Sequence, residues 1–369
     1  MKMKLSKPVP VAYGPTWAEV GWGPWQFPSM RKDGNRVFAG VHMGRDSEED
    51  YGVENKWFYT DDGGDTWFPA TIEEADRGFV VAENGDRIFH KAQPPVEVDP
   101  KIFEGIEPVG RLDDYFEFYR FDDFPEGTFE KSVEITRIKK GETRREKFKA
   151  PIIGFENLLI HRLYGTNRIV PPNMFGRLRK APDGSLWHTH YDRAITPGTD
   201  KFYDCFYSYF FRSTDNGETW KLVSVQNPEE TEGAVYYCEQ DICWLPSGRA
   251  VTVSRSEGLH LAISDDGGYT WGKSVQLDTF GVDPAICALK CGAILTSYGR
   301  PGFFVRSCLD GKGEVWGEPV KLADQTCAYS DMVAISDNEA LVAYTEFDHT
   351  DENVENRKTL MVVKVTFEE

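Results

Sequence analysis

Three stretches of the chain set reactive side chains close together. "LWHTHYDR" places His188 and His190 two residues apart, with Asp192 two further on. In a strand that spacing puts all three on one side. Two imidazoles so placed could hold a metal or act as the base of a lyase-like reaction. Ordinary strand alternation gives the same arrangement. Cys238 and Cys243, and Cys287 and Cys291, have spacings that a zinc site could use. Seven cysteines, an odd number, read better as reduced thiols on buried strands. The third stretch recurs: "DDGGDTW" ends at Trp67, "TDNGETW" at Trp220 and "DDGGYTW" at Trp271. Its Asp can accept the N–H groups of its own turn. Its Gly frees the backbone, and its Trp packs between strands. Nothing in it poses a base against a nucleophile, so this repeat reads as scaffold.

The totals narrow the function. The 369 residues suit two ordinary domains or one large repeat domain, and the net charge is −18. Such a charge repels nucleic acid and anionic membranes at long range, so neither is expected as a partner. No run of about 18 apolar residues is present, so no membrane span is expected. "MKMKLSKPVPVAYG" has lysines with no apolar stretch behind them. No secretory signal is read there, and a cytoplasmic location is expected unless a leader has been removed.

The elements that must position any site are strands. The repeats start at Thr60, Ser213 and Ser264. A degenerate copy, "SCLDGKGEVW", runs from Ser307 to Trp316, and a fainter relative, "RFDDFPEGTF", from Arg120 to Phe129. The last three serine starts lie roughly 40–50 residues apart, the length of one propeller blade. "FYSYFFRS", "LHLAIS", "RAVTVSRS", "AILTSYGR" and "EALVAYTE" are short aromatic or aliphatic runs divided by turns such as "LPSGR" and "ISDNE". "TIEEAD" offers one helical turn. The segment from Pro94 to Pro172 is the least regular, and "RIKKGETRREKFK" within it reads as a solvated hairpin. The chain is all-β.

The repeat resembles the Asp box, or BNR repeat, of the sialidase superfamily. The resemblance implies a six-bladed β-propeller, a single domain over residues 1–369. Its last blade would be closed by strands from both termini, with "VPVAYG" and "TLMVVKVTFEE" as the candidates. It also implies that the boxes lie on the rim and that chemistry lies on the axis. A sialoside carries a carboxylate on its anomeric carbon, which would repel a carboxylate nucleophile. The superfamily uses a Tyr instead. A phenol of pKa about 10 needs a neighbouring base, an Asp serves the leaving oxygen, and Arg forks bind the substrate acid.

The segments that carry this resemblance can be named. "VYYCEQDICWLPSGRAVTVSRSEG" implies Glu239 as the Tyr's partner and Arg255 as a carboxylate binder. "AILTSYGRPGF" implies Arg300, and "CAYSDMVAISDNEALVAYTE" implies Tyr329 as the nucleophile. In "WQFPSMRKDGNRVFAGVHMGRD", Pro28 and Arg45 match the pattern, but Gln26 stands where the first arginine of the triad belongs. A neutral amide supplies neither the charge nor the fork, so a related acidic sugar becomes a rival to sialic acid. Arg31, Arg36 or Arg45 could compensate. Arg255, Arg300, Arg45, Gln26 and His42 form the expected binding set. Asp50 of "GRDSEEDYGVENKW" is the expected acid/base, with Asp46 its rival. Trp17, Trp22 and Trp25 could form a sugar-stacking wall or a piece of core. The expected activity is removal of a terminal acidic sugar from a glycan by a retaining tyrosine mechanism, without metal or cofactor. The rivals are a non-catalytic glycan-binding propeller and a glycosidase or lyase on uronate-type sugars that uses His188 or His190.

Overall fold

The computed structural model describes residues 1–76, 79–230 and 234–369. Runs rich in aromatic and β-branched residues form strands, and Gly- and Asp-rich turns separate them. Three sheets are four-stranded antiparallel meanders. The first is Gln26–Asp33, Arg36–His42, Lys56–Thr60 and Phe68–Ala70; the second begins at Cys238–Trp244 and the third at Val282–Ala288. An eight-stranded sheet has two antiparallel halves, one opening at Val80–Val81 and the other at Leu178–Lys180. The halves meet where Ile152 and Ile153 pair in parallel with Trp220 and Lys221. Another sheet joins Thr326–Ala334, Glu339–His349 and Arg357–Glu368. The N-terminal strands Lys2–Leu5 and Val9–Tyr13 both pair antiparallel with Arg357–Glu368, so the two ends of the chain close one sheet.

The segment read as irregular contains a further sheet, Val96–Glu97, Gly110–Leu112, Phe116–Arg120, Leu159–Leu163 and Arg168–Val170. It has an apolar cluster of its own around Phe103, Tyr119, Phe124, Ile160 and Ile169. The basic stretch is a hairpin between Ser132–Ile138 and Arg145–Ile153. Its second strand alternates exposed and buried residues, as a solvated edge does.

One strand of each of these sheets lies beside one strand of the next. Gln26–Asp33 packs on Thr326–Ala334, which packs on Val282–Ala288, then Cys238–Trp244, then Leu186–Ile195. Apolar side chains fill the wedges between sheets: Met30, Val37, Ala39 and Phe58 meet Leu341, Ala343 and Val362. Phe38, Phe210 and Phe211 are fully buried, each worth about 1.5–3 kcal/mol over exposure. Among the described residues, no helix is long and apolar enough to cross a membrane. All seven cysteines are free thiols.

The Asp repeats are closed turns. Asp266 Oδ1 accepts the Ser264 hydroxyl at 2.7 Å and the N–H groups of Tyr269 and Thr270 at 3.0 and 2.8 Å; its Oδ2 accepts the Thr270 hydroxyl at 2.7 Å. Asp62 and Asp215 repeat the scheme. Gly268 has φ +111°, and a Cβ there would meet the Trp187 ring at 3.0 Å, so sterics and conformation both demand glycine. The degenerate copy keeps the turn with a different register. Asp310 accepts four backbone N–H groups, and Cys308, not Ser307, occupies the serine position. "RFDDFPEGTF" is not a copy: Phe121–Asp123 is a 3₁₀ turn inside the inserted sheet, and Asp122 pairs with Lys131.

Candidate functional site

The first strands share an irregularity near their starts. Pairing registers shift between Gln26 and Ser29, Cys238 and Asp241, Val282 and Ala285, and Thr326 and Ser330. Each shift contains a non-glycine residue in the left-handed region: Phe27 at φ 50°, Glu239 at 51°, Asp283 at 41° and Ala328 at 68°. Such residues cost about 1–3 kcal/mol each and cluster where a side chain must be re-aimed. Here the four shifts turn Phe27, Glu239, Asp283 and Tyr329 toward one another.

At the centre, Tyr329 Oη donates to Glu239 Oε1 at 2.5 Å. Arg255 Nη1 bonds both oxygens of Glu239, at 3.2 and 3.3 Å. The Asp283 N–H donates to Glu239 Oε2 at 2.9 Å. Burial, with the charges of Glu239 and Asp283, holds the Tyr329 phenol well above its ordinary pKa, so it keeps its proton at rest. Arg300 Nη2 donates to the Cys327 carbonyl at 2.9 Å, and its guanidinium lies 5.0 Å from the Trp22 ring and 5.8 Å from that of Tyr329. Phe27 meets the Tyr329 ring edge-on at 4.6 Å.

Beside Phe27 opens a cavity of about 340 Å³, lined in part by His42, Arg45, Asp46, Tyr51 and Phe175. Asp46 accepts the Trp22 indole N–H at 2.8 Å and so reaches the ring that covers Arg300. Asp50 ends a 3₁₀ turn, Glu48–Asp50, and accepts the Arg45 backbone N–H together with its Nε at 3.4 Å. Those bonds lower the Asp50 carboxyl below its usual range. Arg45 is otherwise a largely exposed side chain. His42 is half-buried, with its ring 5.8 Å from Phe27, and burial lowers its pKa.

Gln26 does not reach this cavity. It is fully buried, and its Oε1 accepts the Gly23 N–H at 2.7 Å and the Lys358 ammonium at 2.8 Å. Arg31 and Arg36 supply no guanidinium at the cluster. Arg31 is caged by the rings of Trp57, Phe79 and Phe89, and Arg36 pairs with Asp61 and Glu74. Trp17 and Trp22 are partly exposed, while Trp25 is buried core.

The histidines are built into the interior. His188 and His190 are nearly fully buried. His188 Nδ1 bonds the Thr189 carbonyl at 2.8 Å, and burial drives its pKa well below the usual value. His190 accepts the Phe175 N–H at 3.1 Å, and burial lowers it to about 4. Asp192 pairs with His161 at 2.9 Å. Among the described residues, no group of three or more His, Cys, Asp or Glu is arranged to hold a metal ion.

Sequence reading missed a buried ion-pair network under the cluster. Arg179 forks onto Asp241 at 2.9 and 2.8 Å and reaches Asp331 at 2.8 Å. Asp241 also accepts the Ile286 N–H, and Asp331 the Met30 N–H, so each carboxylate ties its strand to the next sheet. Arg177 bonds Asp283 at 2.7 Å and the carbonyls of Pro284 and Ser330 at 2.9 and 2.5 Å. The available signal was an aspartate inside a strand and followed by apolar residues, as Asp241 is in "CEQDICW" and Asp331 in "SDMVA". A charge so placed is buried only with a partner.

Residues 211–222 match the BNR/Asp-box repeat family. No curated protein matches the chain by sequence. By structure the chain is similar to a protein of unknown function from Dyadobacter fermentans (TM-score 0.65, 15% identity, 99% of each chain covered). It is also similar to the NanB sialidase from Streptococcus pneumoniae (TM-score 0.52, 14% identity, covering 98% of this chain and 70% of that one). A third similar structure is the α-L-arabinofuranosidase arb93a from Fusarium graminearum (TM-score 0.52, 11% identity, 98% of each chain). The fold is sialidase-like.

Proposed function

We propose that the protein is a retaining exo-glycosidase that removes a terminal acidic sugar from a glycan, with Tyr329 as nucleophile. The sheets form six blades: the eight-stranded sheet counts as two, and the Val96–Val170 sheet is an insertion. One observation carries the reading. A half-buried tyrosine hydroxyl lies 2.5 Å from a carboxylate that a guanidinium also holds. A tyrosine with a raised pKa is a poor nucleophile until a base takes its proton, and Glu239 Oε1 is in place to do so.

The steps follow from that geometry. Tyr329 Oη attacks the anomeric carbon as its proton passes to Glu239. The bond to the leaving oxygen breaks, and an acid on the cavity side protonates that oxygen. Asp50 is the reading from sequence, and Asp46 is its rival through the Trp22 contact. The same carboxylate then takes a proton from water, the water attacks the anomeric carbon, and Tyr329 leaves and recovers its proton from Glu239. Arg255 and Arg300 hold the sugar's acidic group. Because Gln26 is sealed beneath the site, two guanidiniums serve where the resemblance implies three. That favours another nonulosonate or a uronate, with weaker demands than sialic acid, and it is also the observation that favours a glycan-binding protein without turnover.

The test is cleavage of aryl sialosides and aryl uronides by the parent chain and by Tyr329→Phe. The parent should turn over one class, and the variant should lose about 10²–10⁴-fold in kcat. Cleavage that survives Tyr329→Phe overturns the tyrosine mechanism. Glycan binding without any cleavage assigns the binding role.

A further inference from the structure

The network below the cluster bears on how the two reacting groups are held. Arg177 precedes the short strand Leu178–Lys180 and sends its guanidinium across two neighbouring sheets. Nη1 takes the Pro284 carbonyl at 2.9 Å; Nη2 takes Asp283 Oδ2 at 2.7 Å and the Ser330 carbonyl at 2.5 Å. Ser330 follows Tyr329 directly, and its N–H returns to Asp283 Oδ2 at 3.3 Å. The Asp283 N–H in turn fixes Glu239 Oε2. One guanidinium thus joins the strand bearing the nucleophile to the residue that orients the base. Its guanidinium bonds Asp283 and two backbone carbonyls, so it acts through others.

We propose that Arg177 is a positioning residue which sets the Tyr329–Glu239 distance by gripping Asp283 and the Ser330 carbonyl together. This rests on the tyrosine reading above. Asp283 sits at φ 41°, a backbone state that persists only while its surroundings impose it. Without the grip, Asp283 relaxes, its N–H leaves Glu239, and the base loses its alignment. Burial raises the Asp283 carboxyl, the Glu239 charge adds to that, and Arg177 opposes both. Tyr191, Cys238, Cys327 and Tyr329 are the other titratable groups that feel its charge. Lys cannot replace Arg here, because a point charge cannot bridge three acceptors in a fixed fork.

The experiment uses Arg177→Gln and Arg177→Lys in the full chain. Both should lose about 100-fold in kcat with KM changed less than about threefold, the pattern of misplaced reacting groups. Carbon NMR of ¹³C-labelled aspartate, with the Asp283 signal assigned by its loss in Asp283→Asn, gives a second readout. The Asp283 titration should move to higher pH in Arg177→Gln and stay near the parent value in Arg177→Lys. In an Asp283→Asn background, Arg177→Gln should add little further loss. An unmoved titration, additive losses or a change confined to KM would overturn the assignment. If turnover survives Tyr329→Phe, the functional reading fails, and the Asp283 titration still decides whether Arg177 grips Asp283.

Discussion

At Gln26 a neutral amide faces a buried ammonium. Lys358 Nζ bonds the carbonyl oxygens of Gly21, Pro24 and Gln26 and stands over the Trp17 ring at 4.5 Å. Burial lowers its pKa to about 8. None of its hydrogen-bond partners among the described residues is a carboxylate. A guanidinium at position 26 would therefore be a second buried cation beside the first. Gln26→Arg, the change that would restore the residue the resemblance implies, should destabilise the fold by roughly 2–4 kcal/mol, read from the denaturant midpoint. Unchanged stability would show that Lys358 does not control this position. Glu239, Arg255, Arg300 and Tyr329 could be grouped from sequence because each sits in a recognisable local context. Arg177, Asp283 and Asp331 could not: their partners lie between 44 and 301 positions away, and no local spacing records such a pairing.

The Asp turn is the element that was most legible. Every part of it is local, so spacing alone gives its hydrogen bonds: hydroxyl at i, carboxylate at i+2, glycine at i+4 and threonine at i+6. The register of "SCLDGKGEVW" was misread because a thiol can take the hydroxyl's place, as Cys308 does. The strand-start shifts that aim Glu239 and Asp283 were not legible, since a bulge depends on the neighbouring strand. The turns also make a pH prediction. The Asp266 carboxyl is lowered to about 2 by the bonds from Ser264 and Thr270. An unfolded Asp titrates near 3.9. The stabilisation is therefore fully present above about pH 4 and is lost as pH falls through about 2. Asp266→Ala should cost about 1 kcal/mol at neutral pH, the low end for a solvent-screened turn, and should flatten the acid limb of the stability profile. The kcat should be unchanged, because the turn joins the last two strands of the sheet that begins at Cys238–Trp244, whereas Tyr329 lies on another sheet. A loss of kcat at full stability would place the turns in the chemistry.

At the scale of the molecule, the arrangement of sheets makes the site. Glu239 and Tyr329 are 90 residues apart, and they touch only because the intervening sheet seats their strands against its own first strand. Closure of the Thr326–Ala334 sheet by Lys2–Leu5 and Val9–Tyr13 holds that arrangement from the far side. The pairing of the ends was implied by the resemblance, with "VPVAYG" and "TLMVVKVTFEE" as the runs that suit it, whereas the inserted sheet was hidden by short strands without a repeat. Under the proposed function, the assembled centre delivers Tyr329 to an anomeric carbon. That delivery is tested most directly by covalent trapping. The protein is incubated with fluorinated acidic-sugar fluorides that react quickly and hydrolyse slowly, and the labelled peptide is mapped by mass spectrometry. One sugar per chain on Tyr329, and no label in Tyr329→Phe, is the expected outcome. A label on Glu239, Asp46 or Asp50, or sustained turnover with no label on Tyr329, would contradict it.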